Sequence, residues 1–194
     1  MQKDWWIPIL QWTLPGVALT IIMGWLSKSR MSRRSVTEVN TLRHPTGILV
    51  IGLIGFAFFA GIAVVSNTIG KNSTTTIWTT LIFLFFAGMS LAMVADYFFA
   101  RHRLSADGLD YGRLTGQRGY IRWVQVRRVE YAPSMRWFKL HMPSGPPIRI
   151  SAMLMGLPAF AQHVLAYVPA GRIDNSAKAL LIETADGNLP EVWS

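Results

Sequence analysis

Basic residues are the part of this sequence best suited to bind a partner, because arginine donates charge-assisted hydrogen bonds to phosphates and carboxylates. Between residues 101 and 150, ten Lys and Arg residues face three Asp and Glu residues, a balance of +7. Nucleic-acid recognition needs the same charge together with aromatic stacking platforms or a groove-reading helix. Basic charge alone does not indicate such a partner, so we predict no nucleic-acid binding.

No catalytic or metal-binding motif accompanies these charges. Cysteine is absent, which removes thiolate metal sites and thiol nucleophiles. The four histidines stand far apart, and none has a second ligand-type residue at metal spacing. We also find no nucleophile motif of the GxSxG type, no phosphate-binding glycine loop with lysine and no paired carboxylates on a recognisable scaffold. The sequence therefore predicts a protein that is not an enzyme and has no cofactor and no metal.

Three uncharged apolar stretches precede this basic region, and they must position it. They are Trp5 to Ser27, Gly47 to Val65 and Ile77 to Ala95. A helix rises about 1.5 Å per residue and a bilayer core is about 30 Å thick, so about 20 apolar residues suffice to cross it. We predict a membrane anchor over residues 1–100 with three transmembrane helices, at about 5–27, 46–69 and 76–100.

The distribution of charge between these stretches predicts their orientation. The predicted loop 28–45 has one acid, Glu38, and five basic residues, whereas the connection from Ser66 to Thr76 has only Lys71; the five are Lys28, Arg30, Arg33, Arg34 and Arg43. Short basic loops stay in the cytosol. We therefore predict a multi-pass protein of a cytoplasmic (inner) membrane, with its N-terminus outside and its C-terminus in the cytosol.

Asp96 is the only acid within a predicted transmembrane helix, which makes it a functional candidate by default. Its place at the cytosolic end of the third stretch favours a structural role, in which it pairs with Arg101, His102 or Arg103. The alternative is a role in proton or ion movement. No second acid and no Lys, Arg or His lies within the helices to complete a relay, so we do not expect transport by these helices alone.

Small residues on the second and third stretches predict close helix packing, because they let two backbones approach. Ala57 and Gly61 form a small-xxx-small pair, and Gly88 and Ala92 form another. These faces either contact each other or contact another membrane protein. The candidate packing residues are Gly52, Gly55, Ala57, Gly61, Gly88 and Ala92.

After residue 100 the hydrophobic period changes to that of strands. An Asp107-Gly108 turn joins two short strands, Arg136 to Met142 alternates, and Pro143 to Pro147 turns into another strand. From Met153 to Val168 the period becomes helical and ends at Pro169. We predict an α+β domain over 101–170, a bent antiparallel sheet with one closing helix, followed by a tail over 171–194. Within this tail, Ala177 to Thr184 is a candidate for one further strand or a short helix.

The phrases RLSADGLDYG, YIRWVQVRRVEY, RWFKLHMPSGPPIRI and LPAFAQHVLAYV, in that order, resemble the bacterial membrane-anchored pleckstrin-homology-like domains. The shared points are the turn at Asp107-Gly108-Leu109, the Ile121-x-Trp123-x-x-Val126 step and the C-terminal helix. The resemblance implies a strongly bent sheet whose one open end is plugged by the helix. The chain offers fewer clear strands than the seven of that fold, which predicts a reduced sheet or one completed by a partner.

In lipid-binding members of this family the loop between the first strands carries basic contacts to lipid headgroups. Arg113, Arg118 and Arg122 occupy the similar stretch here, and the resemblance makes them candidates for binding anionic phospholipids. Each cation that reaches an anionic leaflet contributes on the order of 1 kcal/mol. The alternative is that the charges reflect only the excess of Lys and Arg on the cytosolic side.

Three functions are compatible with these features. The first is a non-enzymatic accessory or scaffolding protein, a subunit or assembly factor of a membrane complex, whose pleckstrin-homology-like domain docks on other integral membrane proteins. The second is an anionic-lipid-binding module at the cytoplasmic leaflet. The third is an immunity or inhibitor protein that blocks a membrane-targeted toxin.

Overall fold

The structure is a computed structural model that describes Gly24, residues 40–70 and residues 75–190. Two long helices, α1 (Thr46–Thr68) and α2 (Ile77–Phe99), stand between a first short strand and the remaining sheet residues. The predicted helix at about 5–27, apart from Gly24, and residues 28–39 of the predicted basic loop lie outside the described residues.

Helices α1 and α2 pack against each other as an antiparallel hairpin, and both match their predicted bounds to within one residue. Helix α2 begins with a capping box, in which the Thr76 hydroxyl accepts from the Thr79 N–H at 3.3 Å. Their mean hydropathies are 2.8 and 2.0, and only 17% and 11% of the most apolar windows are buried. By length and composition these two helices can cross a membrane, and little of their apolar surface is covered by the described residues.

Within the described residues, seven strands form two antiparallel sheets. Strands β1 (Thr41–Leu42), β2 (His102–Leu104), β3 (Gly108–Gly112) and β4 (Arg118–Arg122) form the first sheet in sequence order. Strands β5 (Arg128–Ala132), β6 (Trp137–His141) and β7 (Ile148–Ser151) form the second. A turn of 3-10 helix, Trp123–Gln125, joins the two sheets.

Strand β1 precedes the helical hairpin but belongs to the sheet domain, which differs from the predicted boundary at residue 101. Leu42 pairs with His102, so the residues just before α1 and just after α2 lie side by side in one sheet. Leu42 is fully buried in the core of the sheet domain. The domain therefore does not begin at residue 101, and the helical hairpin is inserted between its first two strands. This contribution also raises the number of strands to seven, where the sequence predicted fewer.

Two helices, not one, close the sheet domain. Helix α3 (Leu157–Tyr167) lies within the predicted helical pattern, and Gly156 begins it with a φ of +91°. Helix α4 (Asn175–Ala185) packs against α3. It belongs to the region predicted as a tail, but Ala177 and Leu181 are fully buried in the core. The description as a tail therefore does not hold for this helix, and of the further strand or short helix considered for Ala177 to Thr184 the helix is present.

The core lies between the sheets and the two closing helices. In β6 the predicted alternation is confirmed, since Phe138 and Leu140 are fully buried and their neighbours are partly exposed. Trp123 is 1% exposed, and its indole N–H donates to the Ser105 carbonyl at 2.9 Å. That hydrogen bond satisfies the only polar atom of a large buried side chain, so the link between the sheets is fixed at this point.

Candidate functional site

The connection between β3 and β4 lies against the end of α2. Gly112 is in direct contact with the Phe99 carbonyl, at a spacing that leaves no room for a Cβ. Gly116 has a φ of +80°, and its backbone faces the Phe99 ring. Glycine adopts this left-handed conformation without a steric cost. The two glycines allow residues 113–117 to turn next to the end of the hairpin.

Two of the three candidate headgroup residues belong to this end of the domain. Arg113 lies 5.7 Å over the Tyr111 ring, and its guanidinium donates to the Pro146 carbonyl at 3.4 Å. Arg118 pairs with Asp110, with 3.0 Å between Nη2 and Oδ2. Arg118 is therefore partly neutralised, whereas the guanidinium of Arg113 contacts a carbonyl and a ring and no carboxylate among the described residues.

Arg122 lies at the other end of the same strand. It pairs with Gly108, whereas Arg118 pairs with Gly112 beside the hairpin. Four residues of strand at about 3.3 Å each separate the two arginines by about 13 Å. The structure thus brings Arg113 and Arg118 together and does not bring Arg122 to them.

Leu114 is a residue of this connection that the sequence reasoning missed. Its side chain is 48% exposed although it is apolar, and it follows Arg113 directly. Phe99, at the end of α2, is also exposed, at 46%. A lone leucine within a polar turn was the available signal in the sequence. We call residues 113–118 together with Phe99 the hairpin-end surface, which offers cationic and apolar groups next to each other.

Asp96 has a different partner from those predicted. Its carboxylate lies 2.7 Å from Nε2 of His44, and the His44 side chain is 6% exposed. Arg101, one of the predicted partners, lies 5.9 Å over the Tyr97 ring instead. No local pattern predicts this contact, because His44 and Asp96 are distant in the chain and meet only because β1 pairs with β2.

His102 lies near this pair and is almost fully buried. Its Nδ1 accepts a hydrogen bond from the Gly112 N–H at 3.3 Å. Its pKa is lowered to about 4, mainly by burial and next by the nearby His44, while Asp96 opposes this effect. The ring is therefore neutral near pH 7. Within residues 40–70 and 75–190 no three His, Asp or Glu side chains are grouped as metal ligands would be.

The small residues of the helical hairpin divide into two groups. A Cβ at Gly52 would lie 2.8 Å from Val94 Cγ2, and one at Gly55 would lie 2.7 Å from Ser90 Oγ. These two glycines are therefore part of the contact between α1 and α2. A Cβ at Gly61 or Gly88 would meet no atom of the described residues within 4 Å. The exposed members of the candidate set are Ala57, Gly88 and Ala92.

Two acidic residues, Glu130 on β5 and Asp174 just before α4, are held by neighbouring cations. Glu130 lies 3.0 Å from His141 and 3.3 Å from Lys139, and the hydrogen bond from His141 is the main reason that its pKa is lowered. The Asp174 carboxylate accepts hydrogen bonds from Nε and Nη2 of Arg128, and the shorter one, from Nη2, is 2.6 Å long. This hydrogen bonding lowers the pKa of Asp174. Both carboxylates therefore act as internal partners of basic side chains.

Comparison with protein-family models, with curated protein sequences and with solved structures found no match for this chain.

Proposed function

We propose that this chain is a non-enzymatic accessory or scaffolding protein of a bacterial-type cytoplasmic membrane, with a pleckstrin-homology-like domain that docks on a partner protein. It crosses the membrane with its N-terminus outside and its sheet domain in the cytosol. The observation that carries the proposal is the apolar surface of α1 and α2, most of which is left uncovered by the described residues. Such surface needs lipid or another membrane protein around it.

The pleckstrin-homology-like assignment draws support from the order of the elements. Seven strands in sheets of four and three are followed by closing helices, which agrees with the strand number that the sequence resemblance implies. A sheet domain of this kind offers recognition surfaces, and none of its described carboxylates or histidines forms a constellation suited to catalysis.

The experiment that tests the proposal is mild-detergent or nanodisc extraction from native membranes, followed by purification and mass spectrometry. We expect an integral membrane protein to co-purify in a fixed ratio to this chain. Extraction of the chain alone, in repeated preparations that preserve known complexes, would contradict the proposal.

The orientation is tested by cysteine labelling, because the chain contains no cysteine of its own. Single cysteines are introduced at Gly70 and at Ser134. We expect the cysteine at position 70 to react with a reagent added outside, and the cysteine at position 134 to react only after permeabilisation.

A second candidate function is binding of anionic lipid, and the hairpin-end surface favours it. Arg113 and the exposed Leu114 lie at the end of the domain where α2 ends. A cation and an apolar side chain side by side suit the boundary between headgroups and acyl chains.

A fluorescent label tests this second function. An environment-sensitive dye is attached to a single cysteine at Leu114, or at the exposed Val124 beyond the far end of β4 as the matched control. In nanodiscs of phosphatidylglycerol, but not of phosphatidylcholine, we expect the dye at position 114 to shift to shorter wavelength and to revert at high salt. Equal spectra at the two positions would exclude the lipid role.

A further inference from the structure

An open cleft of about 460 Å³ lies beyond the end of β4, away from the hairpin-end surface. The residues that line it are Val124, Gln125, Arg127, Pro143 and Arg172. The first three belong to the link between the two sheets, Pro143 follows β6, and Arg172 lies between the two closing helices. The walls of the cleft thus come from three separate parts of the domain, all of them outside the surface already described.

Arg172 is held in a fixed position at this cleft. Its Nη1 donates to the carbonyls of Val124 and Val126 at 2.8 and 2.9 Å. These two hydrogen bonds use both hydrogens of Nη1 and leave Nε and Nη2 as donors. They also occupy two of the carbonyl oxygens of the link, so the link presents fewer acceptors to the cleft.

Arg127 is charged and exposed, and no acceptor among the described residues lies within hydrogen-bond distance of its guanidinium. The nearby acids are already engaged, Asp174 by Arg128 and Glu130 by Lys139 and His141. Gln125 uses its side-chain oxygen to accept the Arg122 N–H at 3.2 Å, which leaves its amide N–H groups as donors. The cleft therefore has two guanidinium groups and an amide, and no carboxylate among its lining residues.

We propose that this cleft binds a short acidic segment of a partner protein. One or two carboxylates of the segment lie between Arg127 and Arg172, and an apolar side chain of the segment packs on Val124 and Pro143. This inference rests on the proposed function and names the chemistry of the partner that the domain docks on. It assigns the contact to the end of β4 and not to the hairpin-end surface.

Two observations favour a peptide over other anions. Val124 is 67% exposed beside the two guanidinium groups, and inorganic phosphate would leave that apolar surface uncovered. Strand β4 separates the cleft from the end of the hairpin by about 13 Å of strand, so the cleft is not part of the hairpin-end surface that is the candidate for headgroups. Charge complementarity and this apolar rim together fit a segment that combines Asp or Glu with an aliphatic residue.

The test uses the full chain in phosphatidylcholine nanodiscs and a library of short fluorescent peptides that combine two Asp or Glu residues with Leu or Ile at varied spacing. Fluorescence anisotropy at physiological salt measures binding. We expect Arg127→Glu and Val124→Asp each to weaken binding of the best peptide by about tenfold or more. Arg149→Glu makes the same change of charge on β7 and should leave the affinity within about twofold.

In the binding assay, three outcomes would overturn this inference: no peptide binds, Arg149→Glu weakens binding as much as Arg127→Glu does, or inorganic phosphate competes as well as the peptide. Matching thermal midpoints of the variants keep the comparison independent of folding. The proposed function is tested separately, by co-purification from native membranes. If a partner still co-purifies undiminished with Arg127→Glu, the cleft assignment fails and the accessory role stands; if wild type has no partner, the accessory role fails.

Discussion

His102 combines deep burial with a hydrogen bond that only a neutral ring can accept at Nδ1. Its pKa of about 4 lies well below the value of about 6.5 of an exposed histidine. Between these two pH values the unfolded chain binds a proton at this position and the folded chain does not. Acidification therefore favours unfolding, and the stabilisation is present above about pH 6.5 and lost as the pH falls toward 4.

We predict that the free energy of unfolding falls by about 2 kcal/mol more between pH 7 and pH 5 in wild type than in His102→Asn. Asparagine keeps an acceptor for the Gly112 N–H and cannot be protonated in this range. The measurement is urea unfolding of the full chain in detergent at both pH values, followed by tryptophan fluorescence. Identical pH dependence in the two proteins would show that another group titrates.

The contact between His44 and Asp96 should contribute more to stability than an ion pair at the surface. Truncation of Asp96 leaves a His44 ring that is 6% exposed without its acceptor, which costs about 1–3 kcal/mol. The exposed pair of Arg118 and Asp110 contributes about 0–1 kcal/mol. We predict that Asp96→Ala lowers the unfolding free energy more than Asp110→Ala does, as measured by urea unfolding near neutral pH. Equal losses would mean that His44 finds another partner.

At the scale of elements, the sequence predicted the long and strongly patterned ones. Helices α1 and α2 were evident from their apolar runs, and β6 from its alternation, because those patterns extend over many residues. Strand β1 was not predictable, since two residues form no pattern and its pairing is decided by the fold around it. Helix α4 did carry a signal, with Ala177, Leu181 and Thr184 at helical spacing, but its polar remainder resembled a tail.

The candidate site was predicted only in part, for the same reason. The sequence indicated which residue types bind anions, but not which of them lie together. Arg118 and Arg122 are close in sequence and lie at opposite ends of one strand. Arg127 and Arg172 are distant in sequence and line one cleft. Such pairings follow from sheet register and from the return of the chain after α3, which no local pattern encodes.

Helix α4 should contribute strongly to the stability of the sheet domain. Leu181 is fully buried in the core, whereas the adjacent Ile182 is 47% exposed. We predict that Leu181→Ala lowers the unfolding free energy by about 2–5 kcal/mol because it leaves a cavity. Ile182→Ala is the matched control and should cost far less. The measurement is thermal unfolding of both variants. Similar midpoints for Leu181→Ala and Ile182→Ala would indicate that α4 is not docked on the core in solution.

At the scale of the whole molecule, the helical hairpin and the sheet domain are joined at a tight contact. Gly112 touches the Phe99 carbonyl, so a side chain there would force α2 away from the sheet. We predict that Gly112→Ala lowers the thermal midpoint by at least about 2 °C, for a loss of about 1 kcal/mol or more. Gly171→Ala, where a Cβ would meet no described atom within 4 Å, should change the midpoint little. An unchanged thermal midpoint for Gly112→Ala would contradict the close contact between Gly112 and the Phe99 carbonyl.

Because the hairpin lies between β1 and β2, the order of synthesis constrains assembly. When β1 leaves the ribosome its neighbour in the sheet does not yet exist, and the whole hairpin must be made before Leu42 can meet His102. Pairing across such a long insertion is slow and depends on the two helices first coming together. A nascent chain whose hairpin fails to form keeps one edge of β2 open, which is a template for aggregation or a mark for degradation. The pairing of β1 with β2 therefore occurs only in chains whose helical hairpin has already formed.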